Sequence, residues 1–171
     1  MQGEYCNKSW YLIYTKPLKE RLALENLERQ GYTAYLPMLT LRKRKRGVYV
    51  QVTEPMFPRY LFVHLDKQND NWSPIRSTRG VGGIVRFGMD PARVPDDFVQ
   101  MLKDNVQREE EKASAEPLFD KGDKVRIVDG PFAGYEAVFD TQKASERAIV
   151  LLDIASNYTK MQIDSDNLEK V

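Results

Sequence analysis

Few residues in this chain could do covalent chemistry, and none is arranged for it. There is a single histidine, His64, and a single cysteine, Cys6. Neither has a serine, carboxylate or second thiol in a nucleophile arrangement, so an enzyme is not expected. Asp96-Asp97 is the nearest thing to paired carboxylates, but it stands where a helix begins, and capping explains it. His64 alternates into a strand face, where a core or surface histidine is the simpler account. Gly80-Val81-Gly82-Gly83 is not followed by a helix opening on Lys-Ser/Thr, so it is no phosphate loop. Structural zinc usually takes four Cys or His ligands, so no metal and no cofactor is expected. What the residues can do is bind. Arg42-Lys43-Arg44-Lys45-Arg46-Gly47 is the densest charge run; its five cations repel one another, and Gly47 suits a hairpin tip between Leu41 and Val48. Such a loop should be extended and can touch duplex DNA non-specifically, with a strong dependence on salt. A localisation signal is the other reading of such a run.

The charge balance points the same way once it is divided. The 171 residues hold 26 Lys and Arg against 25 Asp and Glu, a net charge of +1. Up to Arg108 there are 18 cations against 11 anions, and from Glu109 onward 8 against 14. A basic first part of +7 beside an acidic second part of −6 suggests a polyanion partner for the former and attraction between the two. The longest apolar run, Ala148 to Leu152, is far short of the roughly 20 residues that span a bilayer, so no membrane partner is expected. Met1 to Ser9 has no apolar signal core, and a lone cysteine fits a reducing, cytoplasmic compartment.

The elements that must carry these residues fall into two groups. Trp10 to Tyr14 reads as a buried strand. Thr15 is expected to cap a helix with Pro17 in its first turn, running to Gln30 with Ala23, Leu24 and Leu27 inward and Gly31 just past its end. Tyr32 to Leu36, the alternating valines Val48, Val50 and Val52, Tyr60 to Leu65 and Ile84 to Phe87 read as strands. On the Tyr60 to Leu65 strand Tyr60, Phe62 and His64 share one face, and Leu61, Val63 and Leu65 the other. Ser73-Pro74 opens a short helix, and a last one starts near Pro95 with Phe98, Met101, Leu102 and Val106 as its stripe. The expected class is therefore α+β, an N-terminal antiparallel sheet with packed helices, over residues 10–107 after a flexible 1–9. Residues 108–116, charged, small and closed by Pro117, read as a linker or a frayed helix end. In 117–171, turn signals at Gly122, Gly130-Pro131 and Gly134 separate short strands at Val125 to Val128, Glu136 to Phe139, Arg147 to Leu152 and Tyr158 to Ile163, the pattern of a small β-barrel.

Lys121-Gly122-Asp123-Lys124-Val125-Arg126-Ile127 followed by Asp129-Gly130-Pro131-Phe132-Ala133-Gly134 resembles a KOW motif. With Trp10-Tyr11-Leu12-Ile13-Tyr14, Glu54-Pro55-Met56-Phe57-Pro58-Arg59-Tyr60-Leu61-Phe62-Val63 and Thr78-Arg79-Gly80-Val81 in order, nearly the whole chain resembles the NusG family of transcription elongation factors. Pro37 to Leu41, Glu54 to Pro58 and Val85 to Gly88 are most similar to its specialised paralogue RfaH. The resemblance implies a monomeric bacterial antitermination factor that binds RNA polymerase, suppresses pausing and recruits a small-subunit ribosomal protein through its C-terminal domain, activating translation. It implies that Tyr14, Phe57, Pro58, Tyr60 and Phe62 form the polymerase-binding depression, with Trp72 touching the other side of the cleft. It also implies a non-template DNA strand in the elongation complex as partner, read by Lys16, Lys19, Arg21, Arg29 and Gln30 with Thr78 and Arg79. Arg42, Lys43 and Arg44 would add to that surface. Pro17 and Asn26 depart from the family's pattern there. Glu54 and Arg147 match residues that join the two domains in RfaH-like proteins, where the C-terminal domain can instead fold as an α-helical hairpin that masks the polymerase site. Pro131, Gly130 and Gly134 oppose a helix, with proline alone costing about 3 kcal/mol, so the barrel is the expected state. The docked hairpin is the alternative, and Ala144 to Leu152 would tolerate it. A housekeeping NusG-type elongation factor, recruited independently of DNA sequence, is the alternative within the family, and a KOW-containing ribosome-associated RNA-binding protein is the reading from another class.

Overall fold

The computed structural model describes residues 7–113, Val138 and residues 143–168. The strand β1 (Lys8–Thr15) is central to everything else. Its side chains alternate between two buried surfaces: Trp10 and Leu12 enter one core, Tyr11 and Ile13 the other. Helix α1 (Glu20–Arg29) follows, then β2 (Thr33–Tyr35), β3 (Met38–Lys45), β4 (Val48–Pro55) and β5 (Tyr60–Asp66). Next come α2 (Ser73–Arg76), β6 (Val81–Ile84), β7 (Arg86–Phe87), β8 (Asp90–Pro91), β9 (Arg93–Val94) and α3 (Asp96–Ala113). We number the helix Ala144–Leu168 α4.

The main sheet has the order β2-β5-β1-β6, with β9 also pairing with β1, and every pairing is antiparallel. Helices α1 and α2 close one face through Ala23, Leu27 and Ile75, packed on Tyr11, Ile13, Leu61, Val63 and Leu65. On the other face α3 contributes Phe98, Val99 and Leu102, and α4 contributes Leu151 and Ala155, against Trp10, Leu12, Phe57 and Phe62. The period-two division of β5 is thus the division between the two cores. Strands β3 and β4 form a ribbon of their own, and β7 and β8 another.

Several local expectations are corrected. Helix α1 begins at Glu20, and Thr15 does not cap it. Thr15 is the last residue of β1, its N–H held by the Arg59 carbonyl at 2.8 Å. Its hydroxyl is buried without a hydrogen-bond partner among the described residues. Lys16 to Lys19 form the connecting turn, with Leu18 at φ 60°. Ser73 is the first residue of α2 and not its cap. The single strand expected from Ile84 to Phe87 is split, because the Val85 N–H turns to the Leu12 carbonyl between β6 and β7. Helix α3 runs to Ala113, so of the two readings of residues 108–116 the helix end holds for 108–113.

The largest difference lies at the C-terminal end. The segments Arg147 to Leu152 and Tyr158 to Ile163, expected as barrel strands, lie within the single helix α4. The physical reason is a buried stripe at four-residue intervals, Arg147, Leu151, Ala155 and Thr159, which only a helix puts on one line. Ile149 and Met161 stay exposed on the far side. In its described part, this is the docked helical form. The KOW motif, Pro131 and the strands expected at 125–128 and, Val138 aside, 136–139 lie outside the described residues. Val138 is helical and buried in the same core as Leu151.

Candidate functional site

The aromatic residues singled out by the sequence do converge. β5 and the turn before it present Phe57, Tyr60 and Phe62 on the face of the sheet that α4 covers. Phe57 and Phe62 meet edge-on at 6.1 Å, and Phe62 meets Phe98 at 6.4 Å. Both Phe57 and Phe62 are fully buried, in one cluster with Leu151 and Ala155 of α4. Tyr60 and Pro58 are half-buried at its margin. Tyr14 lies at the same margin, its ring 5.8 Å from that of Tyr60.

This margin is held by an unusual turn. Arg59 has φ 73°, a left-handed conformation that costs a non-glycine residue about 1–3 kcal/mol. All its groups are engaged in keeping it there. Its N–H donates to the buried Glu20 carboxylate at 3.0 Å, and its Nε donates to the Thr15 carbonyl at 3.3 Å. Its guanidinium lies over the Tyr14 ring at 4.3 Å. Glu20 is in the first turn of α1, so this turn joins the aromatic face to that helix. No local residue pattern signals the Glu20 and Arg59 contact.

Helix α4 is fastened to that face by polar groups at each end of its stripe. Arg147 is 0% exposed, donating from Nε to the Met56 carbonyl at 2.8 Å and from Nη2 to Glu54 Oε1 at 3.3 Å. Twelve residues later, Thr159 Oγ1 accepts the Arg93 N–H at 2.9 Å and donates to the Ala155 carbonyl at 2.7 Å. The expected Glu54–Arg147 pair is therefore formed. The Met56 carbonyl, Arg93 and Thr159 were missed; the four-residue spacing from Arg147 was the available signal.

A second surface forms where α1 meets the segment before β6. The Lys16 N–H donates to the Gly80 carbonyl at 2.9 Å. Gly80 has φ 93°, and a Cβ there would lie 2.8 Å from the Ala23 nitrogen, so only glycine lets these backbones meet. Gln30 Nε2 donates to Thr78 Oγ1 at 2.8 Å, and Thr78 Oγ1 donates to the Pro74 carbonyl at 2.8 Å. Lys16, Lys19, Gln30, Thr78 and Arg79 thus share one surface, exposed except for Thr78. Arg29 is one residue away and pairs with Glu25 at 3.5 Å, an exposed pair of small worth. Arg21, nine residues before Gln30, lies about half a turn round the helix and is not part of the group.

Trp72 packs at the edge of the core that α1 and α2 close. It is half-buried, its ring edge-on to Tyr11 at 4.6 Å and its Nε1 donating to the Asp66 carbonyl at 3.2 Å. Asp66 accepts from the Gln68 N–H at 2.9 Å and the Asn69 side chain at 2.9 Å, which hold its carboxyl below the usual range. His64 stacks on Trp10 at 4.6 Å. Burial pushes its pKa down, with Lys8 and Lys103 acting the same way against an opposing Asp96. Arg42 and Arg44 stand exposed on the β3–β4 ribbon. Among the described residues no cluster of His, Cys, Asp and Glu could hold a metal ion, and no helix is long and apolar enough to cross a membrane.

Comparison with known proteins adds to this geometry. Residues 8–103 match the family model described as transcription termination factor nusG. The transcription termination/antitermination protein NusG of Streptomyces virginiae is 28% identical over 94% of this chain and 62% of its own length. That of Thermus thermophilus is 27% identical over 94% of this chain and 97% of its own. The chain thus spans under two-thirds of the Streptomyces relative and nearly all of the Thermus one. A solved structure described as domain interaction in Thermotoga maritima NusG aligns with 73% of this chain and 75% of that one at 26% identity, with a TM-score of 0.46.

Proposed function

The chain belongs to the NusG family, and from that premise we propose that it is a transcription termination/antitermination factor working by binding and not by catalysis. In this reading RNA polymerase takes the aromatic face of the sheet, with Phe57 and Phe62 as its floor and Tyr14, Pro58 and Tyr60 as its rim. The convergence of these aromatics at one face is the observation that carries it. Aromatic clusters of this kind are the usual energetic centre of a protein interface. The Lys16, Gln30, Thr78 and Arg79 surface takes the non-template DNA strand, since Arg and Lys grip phosphate and guanine and Gln offers an amide to bases. The C-terminal part recruits a small-subunit ribosomal protein. The site is cytoplasmic, and the working unit is a monomer.

The relatives reported above are named transcription termination/antitermination proteins NusG, and a housekeeping NusG role is the broader reading they support. One observation favours a conditional, RfaH-like version of it. Helix α4 lies over Phe57 and Phe62, so polymerase cannot reach them until α4 leaves. Recruitment then needs a trigger, such as an exposed DNA element. Co-purification of RNA polymerase with the full chain tests the common part, with Tyr60→Ala expected to reduce it. Mapping occupancy along genes separates the versions: occupancy of most transcription units supports the housekeeping role, and occupancy of a few supports the conditional one.

A further inference from the structure

We propose that the β3–β4 ribbon is a two-sided element whose Arg42, Arg44, Tyr49 and Gln51 side enters a groove of duplex DNA. The inference rests on the DNA-binding part of the reading above but uses a different surface. Among the described residues the ribbon pairs only with itself, eight residues on eight, from Met38↔Pro55 to Lys45↔Val48. At about 3.4 Å per residue it is roughly 25 Å long. Its turn has positive φ at both central positions, Arg46 at 52° and Gly47 at 81°, the geometry that closes a tight two-residue hairpin.

The register sorts its residues. Arg42 faces Gln51 and Arg44 faces Tyr49, while Lys45 faces Val48. Because side chains alternate, Thr40, Arg42, Arg44, Tyr49, Gln51 and Thr53 share one side. Two contacts agree: the Thr40 and Thr53 hydroxyls meet at 3.1 Å, and the Arg42 guanidinium is 6.0 Å from the Tyr49 ring centre. The other side carries Val48 and Val50 and, at its base, Glu54, which is engaged by Arg147. No Asp or Glu occurs from Met38 to Thr53, and the ribbon's acid, Glu54, stands at its base, away from the cations near the tip. Tyr49 is 54% exposed. A two-stranded ribbon fits the major groove of B-form DNA, and guanidinium and amide groups are the side chains that read base edges there. The narrow major groove of duplex RNA would exclude it.

The test compares neighbours of equal charge on opposite sides. Binding of the full chain to a fluorescent 20-base-pair DNA duplex, to its single strand and to phosphatidylserine vesicles is measured across a salt series. Arg44→Ala and Arg42→Ala are each expected to weaken duplex binding by about tenfold, and Lys45→Ala by only about twofold, the loss of one diffuse charge. Equal losses from Arg44→Ala and Lys45→Ala would overturn the two-sided ribbon in favour of a diffuse cationic patch. Binding to vesicles and not to duplex would overturn it in favour of a membrane surface. Loss of duplex binding in Arg79→Ala with both ribbon arginine variants unaffected would overturn the ribbon while leaving the DNA reading of the α1 surface intact. Duplex binding that follows the ribbon pattern in a chain that does not retain polymerase would uphold it and remove the polymerase reading.

Discussion

The Thr159 hydroxyl accepts the backbone N–H of Arg93 at 2.9 Å, across the join between helix α4 and strand β9. Thr159 is 2% exposed, so no water can replace it there. It is the second fastening of α4, twelve residues from Arg147 on the same line of the helix. Replacing Thr159 by Val keeps the shape and leaves the Arg93 N–H unpaired in a dry join, at a cost of about 1–3 kcal/mol. Hydrogen exchange of the α4 amides should rise by about tenfold or more in Thr159→Val, and Thr159→Ser should restore most of the protection. Exchange unchanged in the valine variant would show that the bond holds nothing.

Removing Glu54 should loosen the other end. Arg147 would keep its bond to the Met56 carbonyl but lose its carboxylate partner while fully buried. Breaking such a pair costs about 3–5 kcal/mol when both partners are buried, and less here because Glu54 is half-buried. Glu54→Ala should release the amide signals of α4 in NMR spectra, and the Glu54→Ala, Thr159→Val double variant should release them further.

Two glycines with similar φ separate backbone strain from contact. Gly31 at φ 91° has open space around it, whereas a Cβ on Gly80 at φ 93° meets Ala23 backbone. Gly31→Ala should cost about 1 kcal/mol. Gly80→Ala should cost more, about 2–4 kcal/mol with the clash added, and should weaken single-stranded DNA binding by moving Arg79 away from α1. Urea unfolding and DNA titration of both variants check this.

Acid should weaken the fold through His64. Its folded pKa lies below the ordinary value because burial on Trp10 opposes the charge. The unfolded chain therefore binds the extra proton first, and stability falls as pH drops through about 6.5 toward the folded value. His64→Gln should flatten the part of the stability profile between pH 7.5 and 5.5. Asp66 acts in a lower window: its folded pKa is depressed by the Gln68 and Asn69 donors, so its contribution is present above about pH 4 and is lost below that.

Much of this was legible in the residues, and the parts that were not have physical causes. The alternation of β5 named both cores correctly, because a strand buried on both faces still assigns each residue to one of them. The aromatic face and the Glu54–Arg147 pair were readable only through the family resemblance. Ala148 to Leu152 was not, because a short aliphatic run satisfies a strand and a buried helix equally. The decision was made by Arg147, Leu151, Ala155 and Thr159 finding Glu54, Met56, Phe57 and Arg93, which are distant in the chain. Thr15 was read as a cap because its type suits one, but the sheet bond from Arg59 claimed it first. The sharing of a surface by Gln30 and Thr78 depended on Gly80, whose close approach to Ala23 no local pattern announces.

The central claim is that α4 covers the surface that polymerase takes. The measurement that tests it most directly is the affinity of RNA polymerase for the full chain beside its Glu54→Ala variant, with Tyr60→Ala added to each. Glu54→Ala should bind more tightly than the unaltered chain, and that gain should be lost when Tyr60 is also replaced. Binding that is unchanged or weaker in Glu54→Ala, with the variant folded, would contradict it.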